Sequence, residues 1–311
     1  MIEPRSAKPD YGNWVSKRLI YVPGAAGVFL LCLSFAFLIL TVGTTAALPF
    51  DLSFIFLTLM VGSVGVILVG WAFIFPVSII GAVGIPFLVS SFLLPPLAFG
   101  ATLLVSMSFY FAYARHKFSP RGGKIQTKIQ ELVLRSLDWD GKGEALDIGC
   151  GNAPLTIRMA KKFSDARITG TDYWGGAWEY SKAVCERNAE IEGVASQVKF
   201  QKASASHLPF KDGFFDAAIS NLVFHEVKDT KDKRDVIREA LRVVKKGGKF
   251  AFQDLFLMKR VYGELDDLLR AVRSWGIQKV EFLDTSHSDF IPRALKPQFM
   301  VGAIGILHGK K

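Results

Sequence analysis

Apolar and polar positions are segregated along this chain. Across residues 19–114 there is no Lys, Arg or His, and Asp51 is the only charged side chain. A water-soluble fold would have to cover such a stretch with an apolar surface, whereas a bilayer span needs about 20 apolar residues. The run therefore has room for about four spans of roughly 24 residues each. Leu48-Pro49-Phe50-Asp51, Pro76 and Pro95-Pro96 are the predicted breaks between them. Two spans with a re-entrant or interfacial remainder is the alternative.

After Tyr113 the pattern changes. Residues 115–121 read as a basic linker at the lipid headgroups. A helix is predicted over 124–137, with Ile125, Ile129, Leu132, Val133 and Leu137 on its apolar face. Strand and helix then alternate. Strands are predicted at 145–148, 167–171, 198–201, 215–220 and 249–252, and helices at 154–163, 177–191 and 231–244, the last stopped by Lys246-Gly247-Gly248. A helix over 262–274 and closing strands at 277–282 and 299–307 complete the chain. Such alternation predicts an α/β, Rossmann-like doubly wound sheet with its ligand at the strand C-termini, here preceded by an all-α transmembrane domain. The expected division is 1–18 as a cytoplasmic segment, 19–114 as the transmembrane helices, 115–124 as a juxtamembrane linker and 125–311 as the α/β domain.

Charge refines the topology. The chain of 311 residues carries a net charge of +10 with half its residues hydrophobic. Arg5, Lys8, Lys17 and Arg18 precede the apolar run, and Arg115, Lys117, Arg121 and Lys124 follow it. Positive flanks on both sides place both ends in the cytoplasm and favour an even number of spans, so the protein is expected to be a multi-pass integral membrane protein. The run is too long for a cleaved signal peptide. The three cysteines, Cys32, Cys150 and Cys185, have no metal spacing, and reduced thiols fit a cytoplasmic domain.

The candidate chemistry centres on Glu144-Ala145-Leu146-Asp147-Ile148-Gly149-Cys150-Gly151-Asn152-Ala153. Ala145, Leu146 and Ile148 make a buried strand. Gly149 and Gly151 let the backbone turn sharply and approach a ligand. The helix opening at Pro154 aims its N-terminal amides over the turn. A dinucleotide fingerprint would have a third glycine where Pro154 stands. The acidic Asp147, two residues before Gly-x-Gly, resembles instead motif I of the class I S-adenosylmethionine (SAM)-dependent methyltransferases.

Further segments carry the same resemblance. Asp172 ends the second strand and is followed by Tyr173 and Trp174. Residues 200–210 resemble the family segment ending in Asp-Ala-x-x-Leu-Pro-Phe, with Ser204 where the family has Asp and Ala205 after it. Phe214-Phe215-Asp216-Ala217-Ala218-Ile219-Ser220-Asn221 resembles motif IV. The chain is similar over about 122–307 to the methyltransferase type 11, or ubiquinone-biosynthesis-like, group. That resemblance implies SAM as cofactor. It implies binding through Asp147, the turn Gly149, Cys150, Gly151 and Asn152, Asp172 for the ribose, Tyr173 stacking on adenine, Ser204 and Ala205 near the adenine amino group, and Asn221.

Methyl transfer from a sulfonium is mainly a matter of alignment, and a base is needed only where the acceptor has a proton to lose. The catalytic candidates are His225 and Glu226, after the fourth strand, and Asp254, after the fifth. His225 ranks first because an unperturbed histidine titrates near neutrality. Asn221 is followed by Leu222-Val223 rather than Pro-Pro-aromatic, which argues against base or glutamine methylation. Without a basic patch interleaved with aromatics, nucleic acid is not an expected partner. The expected partners are the bilayer and a lipid or other hydrophobic small molecule. A catalytically inactive SAM-binding scaffold, which the Ser204 departure would favour, and a transporter with a regulatory domain are the rival readings.

Overall fold

The computed structural model describes residues 8–46, 85–175 and 180–311. The chain divides into two compact units, Val15–Arg115 and Met1–Trp14 with His116–Lys311.

The first unit is built from α1 (Arg18–Ala46) and from α2 (Ile85–Phe118) as far as Arg115. Among the described residues these two are long and apolar enough to cross a bilayer, with mean hydropathy 2.1 over Arg18–Ala36 and 1.5 over Leu94–Phe118. The Ser108 hydroxyl donates to the Ile20 carbonyl at 2.7 Å and ties the helices together. Phe29, Phe35, Phe99 and Phe109 point outward, 63–73% exposed. The expected breaks at 48–51 and Pro76, and with them the count of four spans, lie outside the described residues. Two expectations are corrected here. Pro95-Pro96 is no break, since both prolines lie inside α2. Each removes one ladder hydrogen bond, and the helix runs on past both. The basic linker is also shorter than expected, because α2 continues through Arg115 and Lys117 to Phe118. Nothing before Pro120 disfavours a helix there.

The second unit opens its α/β part with α3 (Ile125–Ser136), which buries Ile125, Ile129, Val133 and Leu134 as its pattern requires. The strands follow as β1 (Gly143–Ile148), β2 (Ala166–Asp172), β3 (Val198–Lys202), β4 (Phe215–Asn221), β5 (Val244–Asp254), β6 (Lys279–Asp284) and β7 (Gly305–Lys310). Between them lie α4 (Pro154–Lys162), α5 (Lys182–Ile191), α6 (Lys233–Arg242), the short α7 (Lys259–Tyr262) and α8 (Leu265–Ser274). The strands form one sheet in the order β3-β2-β1-β4-β5-β7-β6. β1 to β5 run parallel, and β7 is inserted antiparallel to both β5 and β6. The order reverses between β1 and β4, and that switch point leaves a crevice at the strand C-termini. Each face is covered by a core. Leu146, Ile148, Phe250 and Phe252 point to one side, and Ala145, Ile168, Ile219 and Ala251 to the other. The Phe224 and Phe252 rings meet edge to face at 5.3 Å beside the C-terminal ends of β4 and β5.

Several predicted bounds shift. The expected helix over 262–274 is two helices divided at Gly263. The expected strand at 299–307 is mostly turn, with Val301, Ala303 and Ile304 buried in a loop before β7 begins at Gly305. Burial rather than strand pairing accounts for that apolar run. Lys246-Gly247-Gly248 lies within β5, where the register with β4 is irregular, and does not cap α6. α5 starts at Lys182, where Ser181 caps it by accepting the Val184 N–H at 3.3 Å.

Candidate active site

The glycine turn sits where β1 stops, in register with Thr171 of β2 and Ser220 of β4. The Thr171 carbonyl accepts both the Gly149 N–H at 2.7 Å and the Cys150 N–H at 2.9 Å. Gly149 has φ +73, and a Cβ on it would fall inside the Val223 side chain, so a side chain here would both strain the backbone and displace the loop after β4. Ala153, with φ +65, leads into Pro154 at the first position of α4.

Asp172 holds the turn to β2. One carboxylate oxygen accepts the Gly151 N–H at 2.9 Å and the other the Trp174 N–H at 2.9 Å. Burial pushes its carboxyl up against the pull of these bonds. A carboxylate has about four lone-pair sites, so Asp172 keeps capacity to accept from a ligand's hydroxyl. Tyr173 stands out, 63% exposed, with the Lys202 ammonium 5.0 Å from its ring. Trp174 is turned under, its Nε1–H donating to the Gly151 carbonyl at 2.9 Å.

Three residues expected at the cofactor face inward instead. Cys150 is buried against Gly170, and burial pushes its thiol well up. The Asn152 side chain accepts the Ser181 N–H at 3.2 Å and so serves the start of α5. Asp147 lies sealed beneath the turn, taking the Thr156 hydroxyl at 2.6 Å, and burial pushes its carboxyl up to about 7. These side chains shape the turn from below. The alternation of a buried strand, rather than ligand contact, explains why Asp147 points to α4.

After β3, Ala205 is core. Ser204 does not stand alone: its hydroxyl donates to Asp229 at 2.7 Å, and the Ser206 hydroxyl donates to the same oxygen at 2.6 Å. Those hydroxyl bonds, Ser206 first, hold the Asp229 carboxyl below its ordinary value. Sequence reading missed Asp229, which lies 25 residues from Ser204. The one available signal was the missing acid at position 204.

The three catalytic candidates meet. Asp254 is wholly buried, and its Oδ2 accepts the N–H groups of Val223 at 3.1 Å and Phe224 at 2.8 Å. Its Oδ1 faces His225 Nδ1 at 2.6 Å, while His225 Nε2 lies 3.5 Å from Glu226. Burial draws the imidazole down, but the Asp254 charge and hydrogen bond, with Glu226 behind them, carry it to about 10. The expectation of a histidine titrating near neutrality is thus corrected by its two carboxylate neighbours. Beside this group the backbone is strained, with Leu222 at φ +59 held by its N–H to the Gln253 carbonyl at 2.8 Å. The side-chain oxygens of Asn221 and Gln253, adjacent in register, are buried without a hydrogen-bond partner among the described residues.

A ligand for this edge should carry several hydrogen-bond donors, because the site offers mainly acceptors: Asp172, Asp229 and the Asn221 oxygen. SAM, with two ribose hydroxyls, an adenine amino group and an ammonium, fits that donor set. A broad cleft lined by Asp138, Trp139, Lys245, Lys246, Lys249 and Lys310 lies at the opposite end of the strands and touches none of these residues.

Comparison with known proteins agrees with the geometry. Residues 146–252 match the family described as Methyltransferase domain. The chain is 33% identical over 177 residues to 27-O-demethylrifamycin SV methyltransferase of Amycolatopsis mediterranei (strain S699), covering 55% of this chain and 61% of that protein. It is 31% identical over 147 residues to Methyltransferase GfsG of Streptomyces halstedii, covering 47% and 48%. The chain thus spans about half to three-fifths of the length of these relatives. Among solved structures it is similar to geranyl diphosphate methyltransferase in complex with SAM, at 16% identity and a TM-score of 0.45 over 60% of this chain and 86% of that one. Residues 146–252 are a methyltransferase domain, and SAM is the cofactor such a domain takes.

Proposed function

We propose that the protein is a membrane-anchored methyltransferase whose acceptor is a lipid or another membrane-dissolved molecule. The observation that carries this reading is the meeting, at one sheet edge, of the clamped glycine turn and the buried Asp254–His225 pair. Bound there, SAM supplies a methyl group activated on a sulfonium. The chain's own residues bind and align. Asp172 would take the ribose hydroxyls, Tyr173 would stack on the adenine, and Asp229, set by Ser204 and Ser206, would receive the adenine amino group. Asn221 ends β4, with its side-chain oxygen unbonded among the described residues.

His225 carries its proton at neutral pH, because Asp254 and Glu226 raise it to about 10. In that state it donates to an acceptor oxygen and favours acceptors that arrive as anions, such as a hydrophobic carboxylate or phenolate. It serves as a base only at more alkaline pH. The outward phenylalanines of α1 and α2 support the anchor, since water-exposed rings in that number would be costly. Positive flanks support a cytoplasmic face for the α/β domain.

The inactive-scaffold reading rested on Ser204. Asp229, hydrogen-bonded to the Ser204 hydroxyl, supports the active reading, because it brings a carboxylate next to that position. The test is to incubate purified protein with methyl-labelled SAM and extracted membrane lipids and to search the organic phase by mass spectrometry. A labelled lipid supports the proposal. Labelling no faster than a protein-free blank would end it.

A further inference from the structure

Residues 8–14 precede the first apolar helix, yet they belong to the same compact unit as the sheet. They lie across the cofactor turn. Asn188 of α5, 1% exposed, treats this segment as a strand would. Its Oδ1 accepts the Asp10 N–H at 2.8 Å, and its Nδ2 donates to the Asp10 carbonyl at 2.8 Å. The same Nδ2 donates to the Asn152 carbonyl at 3.0 Å, so one buried amide joins the segment to the turn. The Tyr11 hydroxyl donates to Glu192 at 2.8 Å. Trp14 packs on Phe118 with ring centroids 5.5 Å apart.

Between these two anchors lies Gly12, at φ +67. A Cβ there would come within 2.8 Å of one edge of the Tyr180 ring. A Cβ on Gly151 would meet the other edge of that ring at 3.5 Å. Tyr180 is therefore seated between the segment and the cofactor turn. The next residue, Ser181, closes the loop by donating its N–H to Asn152.

We propose that residues 10–14 form a strap that completes the cofactor site, holding Tyr180 and the Gly151–Asn152 peptide in their binding geometry, with Asn188 as the positioning residue. The proposal rests on SAM binding at the turn. Only Val15, Ser16 and Lys17 separate the strap from α1, so the pocket is assembled from chain on both sides of the apolar helices. A buried amide spent on two main-chain groups of so distant a segment has a specific use here. It fixes the strap's backbone and the turn's backbone to each other.

The test uses the full-length protein in detergent, with two readouts. One is SAM affinity by calorimetry. The other is hydrogen exchange at the Asp10 and Gly12 amides with and without SAM. In the wild type, SAM should slow exchange at both amides, which a strap with a purely structural role would not show. Gly12→Val clashes with Tyr180 and leaves the sheet untouched. It should speed exchange at Asp10 and weaken SAM binding about tenfold. Asn188→Asp keeps the acceptor for Asp10 and loses the donor to Asp10 and Asn152. It should weaken binding in the same direction, and it carries the test if Gly12→Val does not fold. Faster exchange at Asp10 with SAM affinity within about twofold of wild type would overturn the proposal. So would exchange at Asp10 and Gly12 that is indifferent to SAM in a wild type that binds it. A wild type that binds no SAM would instead refute the cofactor reading, and the strap with it.

Discussion

Replacing Asp147 by asparagine should change the protein's stability by an amount that depends steeply on pH. Asp147 is sealed beneath the glycine turn, and its carboxyl stands at about 7 rather than 3.8, chiefly because burial opposes its charge. A carboxyl raised on folding contributes stability that is fully present below its unfolded value. That stability is lost as pH climbs toward the folded value. The window here is about pH 4 to 7, and the loss across it is about 4 kcal/mol. Asparagine has no charge to bury. It still accepts the Thr156 hydroxyl, and its new N–H groups add a pH-independent cost of about 1–3 kcal/mol. The variant's stability relative to wild type should therefore improve by about 3–4 kcal/mol between pH 4 and pH 8. For a domain of this size that is a swing of about 6–16 °C in unfolding midpoint. Tryptophan-fluorescence thermal scans of both proteins over that range measure it. Parallel curves, with a constant gap at every pH, would refute the argument that burial holds this carboxyl up.

Other outcomes follow from the same geometry. His225→Gln should slow methyl transfer about 10²-fold. In the wild type the His225 imidazole should stay protonated across neutral pH and titrate only as pH approaches about 10; an imidazole NMR titration of His225 with its midpoint near pH 6.5 would contradict this. Asp229→Ala should weaken SAM binding by about 1–3 kcal/mol, measured by calorimetry, whereas adenosine analogues lacking the amino group should bind both proteins alike. Phe29→Lys, at an outward position of α1, should disfavour membrane insertion by about 2.5–3.5 kcal/mol, read as the fraction of protein resisting alkaline extraction.

The sheet and its glycine turn were legible because their signals are local. Ala145 to Gly151 encode strand, turn and close approach in consecutive residues. Asp172 stands one strand further on, where a parallel sheet must place it. Non-local features were not legible. Asp229 reaches Ser204 only after β4 has crossed the sheet. The raised His225 comes from Asp254, which lies 29 residues away in sequence. Residues 299–304 have strand composition but fold as a turn that buries Val301, Ala303 and Ile304, because apolar runs report burial and not hydrogen-bond pairing. Pro95-Pro96 misled for a related reason: proline punctuates short soluble helices more strictly than long apolar ones. The partnership of Asn188 with Asp10 had no sequence signal at all.

The most direct test of the central claim is a calorimetric titration of SAM into the wild type and Asp172→Ala. The wild type should bind one SAM per chain. Asp172→Ala should lose about 2–4 kcal/mol of affinity, the value of one or two charge-assisted hydrogen bonds. Equal affinities in the two proteins, or no heat in either, would contradict the account.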